Sequence, residues 1–194
     1  DPKSLKRTGI EPKDMEGLLK PRLAYGQTLD GRVSVTSIAD QVEVFLGPGR
    51  FDVRDLSAKK PEDVRVPEIA MGLIGVFGIK PSAVGLNYEL VYHVPEGQTS
   101  GAFLAQRFLA KTEFTAKAGV DGIGIGLHYP KGDTRLATRF EPEDKVDSDK
   151  IGVNHNVHRD LRNQDGSLRE VDGDWLKKAF VAEYQDLLGL LSLL

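Results

Sequence analysis

The chain contains no cysteine, and this absence removes several kinds of site at once. Without a thiol the protein forms no disulfide, binds no metal through thiolate and offers no cysteine nucleophile. A lack of disulfides is also typical of proteins in a reducing compartment. We therefore expect a cytoplasmic protein.

An excess of charge and a long apolar run are missing as well. The formal net charge is −3 over 194 residues, and the 26 lysines and arginines are scattered along the chain. Duplex nucleic acid is held by clustered basic residues that release counterions, so this distribution disfavours it as the main partner. The most apolar stretch, 187–194 (LLGLLSLL), is far shorter than the roughly 20 residues of a membrane-spanning helix, and we expect no membrane partner.

The common motifs of nucleotide binding and ester hydrolysis are absent too. Residues 122–126 (GIGIG) lack the third glycine of the dinucleotide fingerprint and are followed by a strand pattern. Residues 47–50 (GPGR) lack the Gly-Lys-Ser/Thr of a phosphate loop, and a hairpin turn explains them better. No Gly-x-Ser-x-Gly elbow occurs. We therefore assign neither a cofactor nor a metal ligand.

What the chain does contain is alternation typical of strands, separated by turn residues and by segments of helical period. Predicted strands are 32–38, 41–46, 50–55, 84–94, 119–130, 134–140 and 151–160, and predicted helices are 63–77, 102–114 with Thr99 or Ser100 as cap, and one from about Asp174. The pattern predicts an α+β fold, with a mainly antiparallel sheet of about six or seven strands and about three helices on one face. Residues 1–30 are interpreted as an N-terminal arm and 31–194 as a single α+β domain.

The segment 151–160 (IGVNHNVHRD) carries two of the four histidines. Because successive side chains of a strand point to opposite faces, His155 and His158 lie on different sides and cannot share a metal ion without a bulge. A helix would place both on one face, but the alternating valines and Gly152 favour the strand. We interpret His155 as a hydrogen-bonded histidine on the apolar face, with a catalytic or ligand role as the alternative.

The polar rows of four strands form a candidate surface if they project to one side. A row of glycines in a strand is usually tolerated where another group approaches the backbone closely. That group is a ligand, a helix, a neighbouring subunit or a sheet corner, and a plain solvated face is the other alternative. The candidate ligand-binding residues are Asn87, Glu89, His93, Gly124, His128, Arg135, Arg139, Asn154, Asn156 and His158.

Two functions of different class follow from these patterns. The first is a non-enzymatic binding or assembly module that uses the polar sheet face or the C-terminal helix, whose leucines suggest self-association into a homodimer as the alternative to burial in its own core. A small-molecule ligand on the polar face is a further expectation. The second is a hydrolase in which His93, His128 or His158 works with Glu89 in acid–base or metal chemistry.

Overall fold

The computed structural model describes residues 11–57, 60–109, 123–143 and 148–194. Their elements, in chain order, are α1 (Pro12–Leu18), β1 (Leu23–Gln27), β2 (Val33–Ser37), β3 (Val42–Gly47), β4 (Arg50–Asp55), a 3₁₀ turn (Pro61–Asp63), α2 (Val66–Phe77), β5 (Ala83–His93), α3 (Ser100–Phe108), β6 (Ile125–Lys131), β7 (Thr134–Pro142), β8 (Lys150–Asp160) and α4 (Gly173–Leu191). The chain divides into two compact units, one drawn from the residues up to Pro81 with Glu170–Ala182, the other from Ser82–Arg169 with Glu183–Leu194.

The α+β class is confirmed, but the single sheet of the prediction is wrong. The described residues form eight strands in two antiparallel sheets, ordered β1-β2-β3-β4 and β5-β8-β7-β6, and four α-helices. Alternation of apolar and polar residues defines which face of a strand is buried, but it does not define which strands pair. The pattern therefore predicted most of the strands without separating them into two sheets.

The first unit is built on the sheet β1-β2-β3-β4. Apolar side chains at alternate positions of β2 and β3 are buried, and Ile69 and Leu73 of α2 belong to the same core. Helix α1 adds Met15, which is fully buried. A Cβ on Gly72 would collide with Leu18, so glycine permits α1 and α2 to approach closely.

Residues 11–30 contribute more to this unit than the predicted arm implied. They form α1 and β1, and β1 pairs antiparallel with β2 over Leu23–Gln27. The pattern of β1 is weak because it is an edge strand with two exposed positions, Ala24 and Gln27. Which parts of the chain fold independently stays a prediction.

The second unit is built on the sheet β5-β8-β7-β6, with β5 and β8 in an uninterrupted register from Ala83 to His93. Helix α3 begins after Thr99, whose side chain accepts a hydrogen bond from the Ala102 amide as predicted. Helix α3 and the second half of α4 cover one face, where rings of Phe108 and Phe140 stack with centroids 5.9 Å apart. The remainder of the predicted helix 102–114, beyond Leu109, lies outside the described residues.

The predicted hairpin around residues 131–133 is confirmed, with β6 and β7 paired from Ile125 to Lys131. The acidic segment 141–149 is described only in part, and its residues 144–147 lie outside the described ranges. None of the described helices combines the length and the apolar character that a membrane crossing needs.

Candidate functional site

The strand registers of the second unit place the polar rows on one face of the sheet. On β8, His158 lies opposite Gly85 of β5 on one side and Arg135 of β7 on the other. Asn154 is flanked in the same way by Glu89 and Arg139. Residues paired directly across a sheet project to the same side, so the four rows form one surface, here called the polar face.

All ten candidate residues belong to or adjoin this surface. Nine are exposed and Asn156 is half-buried, its side-chain amide donating a hydrogen bond to the Asn87 side-chain oxygen. Gly124 immediately precedes β6, and a Cβ added to it would meet Glu141 at 3.3 Å. The candidate residues are Asn87, Glu89, His93, Gly124, His128, Arg135, Arg139, Asn154, Asn156 and His158. Their role in binding a ligand stays a prediction.

The three histidines of the polar face do not converge. His93 lies opposite Lys150, at the other end of β8 from His158, and a rise of about 3.3 Å per residue separates these two histidines by roughly 25 Å. His128 lies opposite Ala137 on a third strand. Within the described ranges no three His, Asp or Glu residues are grouped as metal ligands would be. The structure therefore does not bring these three histidines together, and the hydrolase alternative stays a prediction.

The charge of the polar face is mixed in sign. The face carries three cations and three carboxylates, namely Arg135, Arg139, Lys150, Glu89, Glu141 and Asp160. The Arg139 guanidinium lies 3.5 Å from the Glu141 carboxylate. A surface of this kind does not match a polyphosphate backbone, which requires an excess of positive charge.

Gly126 has no packing role within the described chain. A Cβ added to it would meet no atom within 4 Å, and its φ is not positive, so neither crowding nor backbone conformation requires glycine. Gly152, on the central strand, would place a Cβ at an ordinary 3.7 Å from the Glu141 carbonyl oxygen. Two glycines of the polar face thus expose backbone that could have carried side chains.

The opposite face of the same sheet carries His155, as the strand pattern predicted. His155 is 2% exposed, and its Nδ1 lies 2.7 Å from the Thr138 hydroxyl oxygen, which in turn lies 3.3 Å from the Tyr129 hydroxyl. The Tyr88 ring packs with its centroid 6.0 Å from that of His155. Among the described residues, His155 Nε2 has no hydrogen-bond partner. The predicted hydrogen-bonded histidine on the apolar face is confirmed.

Burial has electrostatic consequences for this cluster. Desolvation lowers the pKa of His155 below its usual value, and the nearby Glu183 carboxylate opposes this effect only in part. Desolvation followed by the Glu183 charge raises the pKa of Tyr88 well above its usual range. At neutral pH we therefore expect His155 to be a neutral imidazole and Tyr88 a neutral phenol.

Replacement of His155 by glutamine should remove a pH dependence of stability. The unfolded histidine titrates near pH 6.5, so below that value the unfolded chain binds a proton that the folded chain does not. The free energy of unfolding should then fall by up to about 1.4 kcal/mol per pH unit in the parent and less steeply in His155→Gln. Urea titrations between about pH 7.5 and 5.5 measure this slope. His128→Gln, on the polar face, is the control, and equal slopes in the parent and His155→Gln would refute the assignment.

Glu183 was not anticipated as a buried charge. It lies on α4 within the second unit, is 5% exposed, and its carboxylate oxygens lie 3.3 Å from Lys131 Nζ and 3.4 Å from Arg159 Nη2. The Lys131 ammonium also pairs with Asp186. One sequence signal was available: Glu183 falls among Phe180, Tyr184 and Leu187 in the apolar stripe of α4, where a carboxylate needs a partner.

Comparison with protein families, with curated proteins and with solved structures finds no match for this chain. The interpretation of function therefore depends on the geometry of the second unit. That geometry provides an open polar face on one side and a buried His155 and Glu183 cluster on the other.

Proposed function

We propose that the chain is a non-enzymatic binding or assembly module and that its polar face contacts a protein partner. The observation that carries this proposal is the contrast between the two faces of one sheet. Helix α3 and the second half of α4 cover the face of His155, whereas nine of the ten candidate residues of the polar face are exposed. Binding of another protein to the polar face would account for its exposure.

The shape of the polar face favours a macromolecule over a small molecule. Sites for small ligands are concave and mainly apolar, whereas this surface follows the side-chain rows of four adjacent strands. Transient protein interfaces are about as polar as the rest of a protein surface. The mixed charges around Arg139 and Glu141 then serve partner specificity more than affinity. We place this module in the cytoplasm, in keeping with the absence of cysteine.

A matched pair of charge reversals tests the proposal. The immobilised chain is incubated with a lysate of its source cells, and captured proteins are quantified for the parent, Arg135→Glu/Arg139→Glu and Lys177→Glu/Lys178→Glu. Both variants change the net charge equally, but the two lysines are exposed residues of the first half of α4, which belongs to the other compact unit. We expect one protein to be captured by the parent and the lysine variant and to be lost, by more than tenfold, with the arginine variant.

The captured protein is then purified and its binding to the same three chains is measured directly. Equal affinity for all three would contradict the use of the polar face. Capture of no protein above background would contradict the proposed function itself.

Gly126→Ala tests whether Gly126 has a structural role in the fold. Because the added methyl group meets no atom within 4 Å, the free energy of unfolding should stay equal or rise by up to about 1 kcal/mol, as glycine replacement restricts the unfolded chain. Chemical denaturation measures this change. A loss of more than about 1 kcal/mol would show that Gly126 has a structural role in the chain's own fold.

A further inference from the structure

Within the described part of the chain, strand β5 has a strand partner on one side only. It is the first strand in the order β5-β8-β7-β6 and pairs with β8 over eleven residues. Among the described strands, none pairs with its other side. An edge of this length presents a row of backbone donors and acceptors to any strand that can align with it.

The two edges of this sheet differ in how they are protected. Edge strand β6 is seven residues long and ends in Pro130 and Lys131, residue types that block the addition of a further strand. Strand β5 contains no proline, and its register with β8 shows no bulge. Val91, the apolar exception on its polar row, is 50% exposed. Strand β5 therefore lacks two of the devices that protect edge strands, a proline and a bulge.

An apolar groove accompanies this edge on the face covered by α4. Its volume is about 410 Å³, and its lining residues are Leu90, Val91, Tyr92, Tyr184, Leu188, Leu191 and Ser192. Leu188 is 39% exposed and Leu193, near the chain end, is 75% exposed. The exposed apolar surface is thus centred on residues 90–92 of β5, where it meets the end of α4.

We propose that a second copy of this chain occupies the edge, with the two β5 strands antiparallel about a twofold axis at Val91. Each Val91 then lies opposite its own copy, and each Leu90 lies opposite Tyr92 of the other copy. The two apolar grooves face each other across the axis, so each removes exposed surface of the other from water. The two four-stranded sheets become one continuous sheet of eight strands.

Charge favours this register over one with the axis at Glu89. With the axis at Val91, Glu89 of each copy lies opposite His93 of the other, and the two side chains project from the same face. An axis at Glu89 would instead place two carboxylates opposite each other, which is unfavourable. The His93 side chain is 64% exposed, its Nδ1 lies 3.8 Å from the Asp149 carboxylate, and Lys150 is its pairing partner on β8. His93 is therefore accessible to a second copy.

This inference deepens the proposed function by naming one partner of the assembly module. It also extends the polar face, because the rows of both copies become continuous across the axis. It can fail while the proposed function holds, since Arg135 and Arg139 lie on β7, away from the edge strand.

Because the chain contains no cysteine, an introduced cysteine is its only thiol, and crosslinking reports on that position alone. Paired residues of antiparallel strands have Cα atoms about 4.5–5.5 Å apart, within the range that a disulfide spans. Under mild oxidation, or with a short thiol-reactive crosslinker, full-length Val91→Cys should become covalently dimeric more than tenfold faster than Asn154→Cys on the central strand β8. A mixture of Glu89→Cys and His93→Cys chains should crosslink faster than either chain alone. Equal rates for Val91→Cys and Asn154→Cys would overturn the proposal.

Light scattering of the full chain across a concentration series gives the independent measurement. The parent should be a dimer, Val91→Lys a monomer, and Asn154→Lys, with the same added charge on the same face, a dimer. A parent that is monomeric at every concentration would overturn the inference. So would a dimer that survives Val91→Lys and is lost when residues 190–194 are removed, because α4 alone would then hold the two copies together. Capture of a partner that depends on Arg135 and Arg139 would still support the proposed function in either case.

Discussion

Replacing Asp40 by asparagine should lower the free energy of unfolding by about 2 kcal/mol, because it removes a buried carboxylate that accepts charge-assisted hydrogen bonds from Lys20 and Arg65. The Asp40 side chain is 4% exposed, and its oxygens lie 2.8 Å from Lys20 Nζ and 2.7 Å from Arg65 Nη1. The Lys20 amide donates a further hydrogen bond to the same carboxylate. Asp40 thus connects the turn between β2 and β3 to the chain after α1 and to the start of α2.

Urea unfolding followed by the fluorescence of Trp175 measures this effect, since the single tryptophan belongs to the same unit as Asp40. Asp30→Asn is the matched control: Asp30 pairs with Arg32 at the surface, and its replacement should cost much less stability than that of Asp40. A loss of stability in Asp40→Asn no larger than in Asp30→Asn would show that the buried Asp40 carboxylate contributes little to the free energy of unfolding.

The Asp40 contribution should also disappear in acid. Burial on its own raises the pKa of this carboxyl, but the hydrogen bonds from Lys20 and Arg65 outweigh burial and hold the pKa below its usual value. The unfolded aspartate titrates near pH 3.9. The stabilisation is therefore present above about pH 3.9 and is lost as the pH falls through the lower pKa of the folded state. Parent and Asp40→Asn should converge in stability there.

Replacing Arg159 by leucine should lower the stability of the second unit by about 3 kcal/mol, and adding Glu183→Leu should restore most of that loss. Among the residues that the structure describes, Arg159→Leu leaves the buried Glu183 carboxylate paired with Lys131, whose side chain is 48% exposed. An unbalanced buried charge is costly, whereas a pair replaced by apolar residues of similar volume is often neutral. Whether adding Glu183→Leu raises or lowers the stability of Arg159→Leu therefore distinguishes the cost of a buried charge from the cost of lost packing.

Hydrogen exchange of the β7 and β8 amides in the parent, both single variants and the double variant provides the measurement. Arg162→Leu, at an exposed position shortly after β8, is the control for a lost arginine. If the double variant were less stable than Arg159→Leu alone, Glu183 would be stabilising for a reason other than its ion pairs.

Most strands could be predicted because their alternation is local. In 151–160 the valines and Gly152 were sufficient to place His155 and His158 on opposite faces, and the register of β8 confirms this arrangement. Strand β1 was missed because its sequence, LAYGQ, does not alternate between apolar and polar residues. The residues of the polar face could be predicted for the same reason, since the side of the sheet to which each one points follows from alternation within its own strand.

The burial of Glu183 could not be predicted in the same way. Its partners, Lys131 and Arg159, are distant in sequence, and their approach requires a packed helix and two paired strands. Apolar residues at helical spacing showed that α4 has a buried side, but that spacing does not identify the surface against which α4 packs. The Asp40 cluster depends on contacts of the same long-range kind.

The amino-acid sequence by itself determined the α+β class, the bounds of most elements and the face on which each strand residue lies, because a period of two residues is a property of the local backbone. Tertiary structure alone decided that the strands form two sheets, that β5 lies at an edge and that Glu183 meets two cations. The physical reason is that strand pairing and side-chain burial depend on which distant segments bury each other's apolar surface. That choice is made by the whole chain, and no single segment encodes it.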